Sequence, residues 1–308
     1  HLYHREHLVP FPQELPQGGR PLRTMPPLAL KVDIDTHQGM RDGVPQILHI
    51  LEKRGLKASF FVSFGPDRSG LAVLQLLRPK FVRKMLRTNA AGTYGLKTAL
   101  YGTLLTAPMI GCAFPESVRS IGEAGHELAC HAWDHRLWQD WLFLMGQGSI
   151  RKWLERMVEA FIEITDMKPL AFGAPGWCID GRVLRMIGDY GFSYLSCTRA
   201  REPFIFEENG MLEIPSNLPC IEEAGTGGVL DALERNAGSP VPQVLPVHTE
   251  VEGGRYGHDF ETILDRARDL GYSIERVCDI AGTVDIEALP RRELKIGWIP
   301  NRAFKCAV

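Results

Sequence analysis

The 308-residue sequence contains seven cysteines but no CxxC pair, and an odd number cannot close into a disulfide framework. Neither a disulfide-stapled scaffold nor a cysteine zinc site is therefore indicated, and a reducing, cytoplasmic setting is the simpler expectation. The formal net charge is only -2, so the basic footprint of a nucleic-acid binder is missing. Internal repeats and low-complexity tracts are absent too. The uncharged stretch 98–114 holds Gly102, Pro108 and three threonines, which makes it a poor membrane span. Residues 1–25 are polar and Pro-rich without the apolar centre of a signal peptide. They are expected to form a loosely ordered extension outside the fold.

What is present is enough for a large core: 44% of the residues are hydrophobic and 23% charged. From residue 26 onward short β-rich runs alternate with amphipathic patterns, the signature of βα units. Strands are expected at 28–34, 57–64, 126–132, 169–174, 192–197 and 243–248, with a weaker one at 271–277. The clearest helix is 149–165, where Ile150, Trp153, Leu154, Met157, Val158, Phe161 and Ile162 recur at helical spacing. Others are expected at 41–53, with Pro45 in its first turn, at 180–190 and at 257–270, the last two closed by Gly191 and Gly271. Asn209-Gly210, between the apolar runs of 204–215, signals a type I′ hairpin decorating the sheet.

The chemistry-bearing residues gather where apolar runs end. Asp33 and Asp35 close LALKVDID, and alternation with Ile34 points both carboxylates the same way on a strand. Two carboxylates in one pocket repel unless a cation or shared proton lies between them. Asp35 and Thr36 equally suit the cap of the helix near Arg41. His131 and His135, in HAWDH, have the i, i+4 spacing that places two imidazoles on one side of a helical turn, a metal-binding arrangement that an isolated pair of surface histidines shares. His248 closes QVLPVH, with Glu250 two residues on; a lone histidine there is more often structural. Chemistry from the ends of several strands nonetheless collects on one face of an α/β barrel. Cys178 and Cys197 remain formal candidates for a thiol nucleophile, without a flanking signature.

One segment stands apart: between residues 68 and 115 there is not one Asp or Glu. Its cations include Arg78, Lys80, Arg83, Lys84 and Arg87, beside Phe81, Tyr94 and Tyr101. Such a surface suits an anionic lipid headgroup or lipid phosphate, with peripheral contact to a membrane. An inserted helical subdomain with solvated charges has the same composition.

The order VDIDT, HAWDH, GAPGW, PVHTEVEG resembles the NodB-homology polysaccharide deacetylases, carbohydrate esterase family 4. Within that family it is most similar to the deformylases of 4-deoxy-4-formamido-L-arabinose-phosphoundecaprenol in lipid A modification, which share the LLRPKFVRKMLRTNAAGTYGL insertion. The resemblance implies an α/β fold, a distorted (β/α)7 barrel over about 26–285, with the helical insertion at 68–115 and a tail at 286–308. It implies Asp33 as catalytic base, Asp35, His131 and His135 as ligands of a divalent ion (Zn, Co, Mn or Ni), and His248 as general acid. Pro175, Gly176 and Trp177 correspond to the family's proline-containing loop on the substrate side; Glu250, two residues past His248, is expected to orient it. The substrate implied is a lipid-linked aminosugar, met on the inner face of the bacterial inner membrane, with no nucleic acid involved.

Two positions depart from the pattern. The Arg that follows GW in these deformylases is Cys178 here, and the Asp that follows YNS is Cys197. Support for Asp33 or His248 is expected from elsewhere, with Arg182 or Arg199 as candidates. Besides deformylation, the resemblance leaves N-deacetylation of another cell-envelope aminosugar, or a metal- or lipid-binding relative without activity.

Overall fold

A computed structural model describes residues 26–71, 100–299 and 305–308. The central strands are β1 (Pro27–Ile34), β2 (Ser59–Ser63), β3 (Glu127–Ala132), β4 (Ala171–Phe172), β5 (Tyr194–Leu195) and β8 (Gln243–His248). They lie parallel in the order β8-β1-β2-β3-β4-β5. The strand β9 (Ser273–Glu275) runs beside the first residues of β1, pairing Leu28 with Ile274. All of them alternate with helices, as the sequence period suggests. β1 and β2 are buried along their whole length, the mark of a parallel sheet covered on both faces. Among the described residues the two edges of the sheet are not hydrogen-bonded to each other, so the expected barrel is met in an opened, distorted form.

The helices that flank the sheet are α1 (Val44–Lys53), α2 (Pro115–Glu123), α3 (His135–Trp141), α4 (Gln147–Thr165), α5 (Gly181–Ile187), α6 (Ile221–Asn236), α7 (Gly257–Asp269) and α8 (Val277–Ala281). α4 buries Ile150, Leu154, Met157 and Phe161 of the expected stripe against the core, with Trp153 and Val158 partly buried and Ile162 exposed. The hairpin at 204–215 is present as antiparallel β6 (Phe204–Phe206) and β7 (Leu212–Glu213). Its turn is not type I′, which needs two successive residues at positive φ. Only Gly210 adopts one, at 72°, and Phe206 and Met211 bracket a longer loop.

β1 and β8 are tied beyond their ladder. Asp33 and His248 are register partners, and the Thr249 amide donates to the Asp33 carbonyl at 3.1 Å. The π-helical turn Gly39–Gly43 that follows β1 presses directly on the loop that follows β8. A Cβ at Gly43 would lie 2.0 Å from the Thr249 carbonyl oxygen, so only glycine lets these backbones touch. Two loops from opposite ends of the chain are thereby welded at the carboxyl end of the sheet.

Candidate active site

Asp35 stands one residue past β1, His131 near the end of β3, and His135 is the first residue of α3. The two histidines are thus not on one helical turn, as their spacing suggested. Strand β3 ends between them, and Asp134 starts α3 by accepting from the Leu137 amide at 2.9 Å. His131 Nε2 lies 3.2 Å from Asp35 Oδ1 and His135 Nε2 lies 3.2 Å from Asp35 Oδ2. The capping role weighed for Asp35 falls to its neighbour, since Thr36 Oγ1 accepts from the Gly39 amide at 2.9 Å. Asp35 is left to face the histidines.

The protonation of His131 is set from behind, where Nδ1 sits 2.7 Å from the Gly173 carbonyl oxygen. A carbonyl only accepts, so Nδ1 carries the proton and Nε2 turns its lone pair into the site. Neither His131 Nε2 nor Asp35 Oδ1 has a hydrogen-bond partner among the described residues, and both atoms are buried. Two acceptors held face to face in a buried site call for a positive ion between them. The nitrogen and oxygen donors of Asp35, His131 and His135, within 4.8 Å of one another, fit a divalent metal.

Asp33 is held by a partner that sequence reasoning passed over. Lys31, fully buried, places Nζ 2.5 and 2.6 Å from the two carboxylate oxygens of Asp33, itself buried. The two-residue period of β1 puts both side chains on the same face as Asp35. Nζ also lies 4.6 Å from the centroid of Phe61 and 5.9 Å from Trp177, cation–π contacts that ease the burial of its charge. Room for the stem comes from Gly173, where a Cβ would approach Lys31 Cε to 3.2 Å. The pair adjoins the histidines, with His131 Nε2 4.0 Å from Asp33 Oδ2.

Neither arginine suggested for that task contacts Asp33. Arg182 is engaged by Asp180 and by the carbonyls of Leu142 and Met145. Arg199 pairs with Glu223 at 3.1 Å, donates to the Leu218 carbonyl and stacks 4.5 Å over Trp177. Arg199 thus supports the Pro175–Trp177 turn, in which Gly176 and Trp177 both take left-handed φ values, 58° and 56°. Trp177 is clasped between Arg199 and the Lys31 ammonium, and the turn reaches α3 through Gly176 against Gln139.

His248 meets Glu222, not Glu250. Its Nδ1 lies 2.9 Å from Glu222 Oε2, and its backbone amide donates to Glu252 Oε2 at 2.8 Å. Burial disfavours the imidazolium, but the Glu222, Asp35 and Glu252 carboxylates outweigh it and raise the His248 pKa well above its ordinary value. Burial likewise lifts the Glu252 carboxyl to about 7. Glu250 lies against Thr249 Oγ1, 3.3 Å away, and burial beside Asp35 drives its carboxyl well up. Glu252 was findable, four residues beyond His248 in HTEVEG. Glu222 carried no local signal: it is the second residue of α6, whose GTGG stretch hides the helical pattern.

The two cysteines that interrupt the family pattern are both buried. Burial raises the Cys197 thiol well above its ordinary value, which unfits it as a nucleophile. Beside it, Glu213 accepts from the Cys197 and Thr198 amides at 2.8 and 2.7 Å, and burial lifts its carboxyl to about 7. Arg78, Lys80, Arg83, Lys84 and Arg87 lie outside the described residues.

The polysaccharide deacetylase family profile matches residues 26–195. The chain is 30% identical over 289 residues to a Shewanella sediminis (strain HAW-EB3) protein named "Probable 4-deoxy-4-formamido-L-arabinose-phosphoundecaprenol deformylase ArnD", covering 90% of this chain and 94% of that one. A Mycobacterium smegmatis structure assigned to the polysaccharide deacetylases matches 93% of this chain and 100% of its own, with a TM-score of 0.63 at 19% identity. PuuE allantoinase matches 89% of this chain and 97% of its own, with a TM-score of 0.57 at 16% identity. These two likenesses are of fold, and they agree with the open, mostly parallel α/β barrel. With the profile spanning over half of the sequence and the Shewanella relative matched nearly end to end, the chain belongs to the polysaccharide deacetylase family.

Proposed function

We propose that the chain is a metal-dependent deformylase that removes the N-formyl group from undecaprenyl-phosphate-linked 4-deoxy-4-formamido-L-arabinose. The observation that carries the reaction class is the juxtaposition of Asp35, His131 and His135, with lone pairs converging, next to a lysine-held carboxylate and a glutamate-paired imidazole. The name of the relative matched over 94% of its length supports the substrate.

Asp35, His131 and His135 would hold the divalent ion. When bound, it supplies Lewis acidity to the amide carbonyl and lowers the pKa of a water molecule. Asp33 takes the proton of the attacking water. Lys31, bonded to both carboxylate oxygens, fixes the orientation of Asp33. His248, whose charge Glu222 stabilises, returns a proton to the amine nitrogen as the C–N bond breaks. An amine leaves poorly as an anion, so this proton sets the departure. The products are formate and the free 4-amino sugar on its carrier.

No helix among the described residues is long and apolar enough to cross a membrane. Trp141, Phe143 and Leu144, exposed at 49, 46 and 77%, end and follow the same helix that His135 begins. An apolar rim there suits a polyprenyl chain or the surface of its bilayer. The deciding assay is formate release from undecaprenyl-phosphate-linked formamidoarabinose, run beside the N-acetyl analogue and with His131→Ala as control. Release of acetate in preference to formate would replace this substrate, and release of neither by metal-loaded protein would withdraw the activity.

A further inference from the structure

Two groups of metal-ligating side chains come together among the described residues, and only one has been used. The other is Cys220, Glu222 and His248, with a thiol sulfur, a carboxylate oxygen and a ring nitrogen all within 4.8 Å of one another. We propose that this triad is a second, inhibitory site for a thiophilic divalent ion such as zinc, whose occupation silences the enzyme by taking the Glu222-paired nitrogen of His248. The silencing half rests on the role given to His248 above.

Three features build the site. The donor set is sulfur, nitrogen and oxygen, which zinc accepts and which magnesium or manganese, preferring oxygen, does not. Cys220 is the cap of α6, and its sulfur accepts from the Glu223 amide. Burial and the Glu223 and Glu222 carboxylates raise the free Cys220 thiol well above its ordinary value, so the thiolate that binds metal forms as the ion displaces the proton. The placement of charge also favours a cation, since a Glu222 oxygen lies 2.9 Å from His248 Nδ1 and Glu252 accepts from the His248 amide at 2.8 Å. Glu222 and His248 keep 15 and 11% of their side chains exposed, so an ion can reach them while Cys220 lies behind.

Binding releases two protons, one from the Cys220 thiol and one from the His248 imidazolium. Bonds form from the ion to Sγ, Nδ1 and a Glu222 oxygen. The imidazole left behind is neutral, and to give up its remaining N–H it would have to become an imidazolate. It no longer serves as an acid near neutral pH. Glu222, which sustained the imidazolium, is taken up by the same ion.

Cobalt and zinc titrations of the full chain test this. Cobalt beyond the first equivalent should bring up a thiolate-to-cobalt charge-transfer band that Cys220→Ser lacks, and equilibrium dialysis should show a second zinc per wild-type chain but not per Cys220→Ser chain. Serine is a good helix cap, so that variant keeps α6; Cys220→Ala checks that the loss follows the sulfur. Turnover of the wild type should fall by ~100-fold as the second zinc binds, the scale of a lost general acid. Excess manganese should not inhibit, and Cys220→Ser should stay active in excess zinc. Absence of the second equivalent or of the band would overturn the site and leave the role of His248 standing. A band with turnover undiminished would overturn the silencing and remove His248 as proton donor. Equal zinc inhibition of Cys220→Ser would move the inhibition elsewhere and overturn the proposal.

Discussion

Lys31 and Asp33 form a buried ion pair, Nζ to both carboxylate oxygens at 2.5 and 2.6 Å, on one face of the first strand. Replacing Lys31 with methionine keeps the stem and deletes the charge. Breaking a buried pair by removing one partner costs about 3 to 5 kcal/mol. The expected result is a loss of that order in urea unfolding, together with a ~100-fold fall in kcat/KM and unchanged metal content. The double variant Lys31→Met/Asp33→Asn should recover most of the stability and none of the activity. Additive stability losses would show that the pair is not coupled.

Asp33→Asn alone should separate chemistry from ligation. Turnover is expected to fall by ~1,000-fold or more, the range of a lost general base, while the dialysed protein keeps its metal. His131→Ala should lose both, because it removes one of the facing donors. Elemental analysis of the two variants beside formate assays checks this, and an Asp33→Asn enzyme that still turns over would strip Asp33 of its role.

Glu222→Gln should change the pH profile of kcat/KM. The Glu222 carboxylate helps keep His248 protonated, so the wild-type enzyme has its acid form from low pH up to a raised pKa. Without that charge the His248 pKa falls, and the alkaline limb of the profile moves to lower pH. An unmoved alkaline limb would assign that limb to another group.

Glu213 makes a prediction about stability alone. The unfolded chain gives up this proton near pH 4.5, whereas the folded protein holds it to about 7. The protonated carboxyl therefore favours folding fully below pH 4.5, and that contribution drains away as the pH rises to about 7. Glu213→Gln keeps an acceptor for the Cys197 and Thr198 amides and cannot ionise. It should flatten the decline between pH 4.5 and 7 and gain up to about 3 kcal/mol at pH 8. Chemical denaturation at several pH values measures both.

Much of this architecture is legible in the sequence because a parallel strand, buried on both faces, must be written in apolar residues up to the point where it leaves the core. That rule locates β1, β3 and β8 to within a residue or two, and with them Asp33, Asp35, His131 and His248. It fails for side chains buried as ion pairs: Lys31 sits inside the apolar run of β1, and its signal is only that a lysine precedes an aspartate by one strand period. Glu222 is hidden for another reason. Its helix α6 contains Gly225 at a positive φ of 71°, which breaks the helical pattern just where the period would be read. The contacts to Asp33 and His248 that Cys178 and Cys197 do not supply come from these two residues, Lys31 and Glu222. The type I′ reading of Asn209-Gly210 failed on a finer point, because the loop is longer than the dipeptide.

The contact between Gly43 and Thr249 reaches past stability into what this scaffold can become. No side chain separates the two backbones, so a methyl group at Gly43 would wedge apart the segments that follow β1 and β8 and shift Asp35 relative to His248. Laboratory evolution toward a bulkier acyl group should find that corner closed to mutation. Room for side chains to change size lies instead at the exposed apolar rim of Trp141, Phe143 and Leu144.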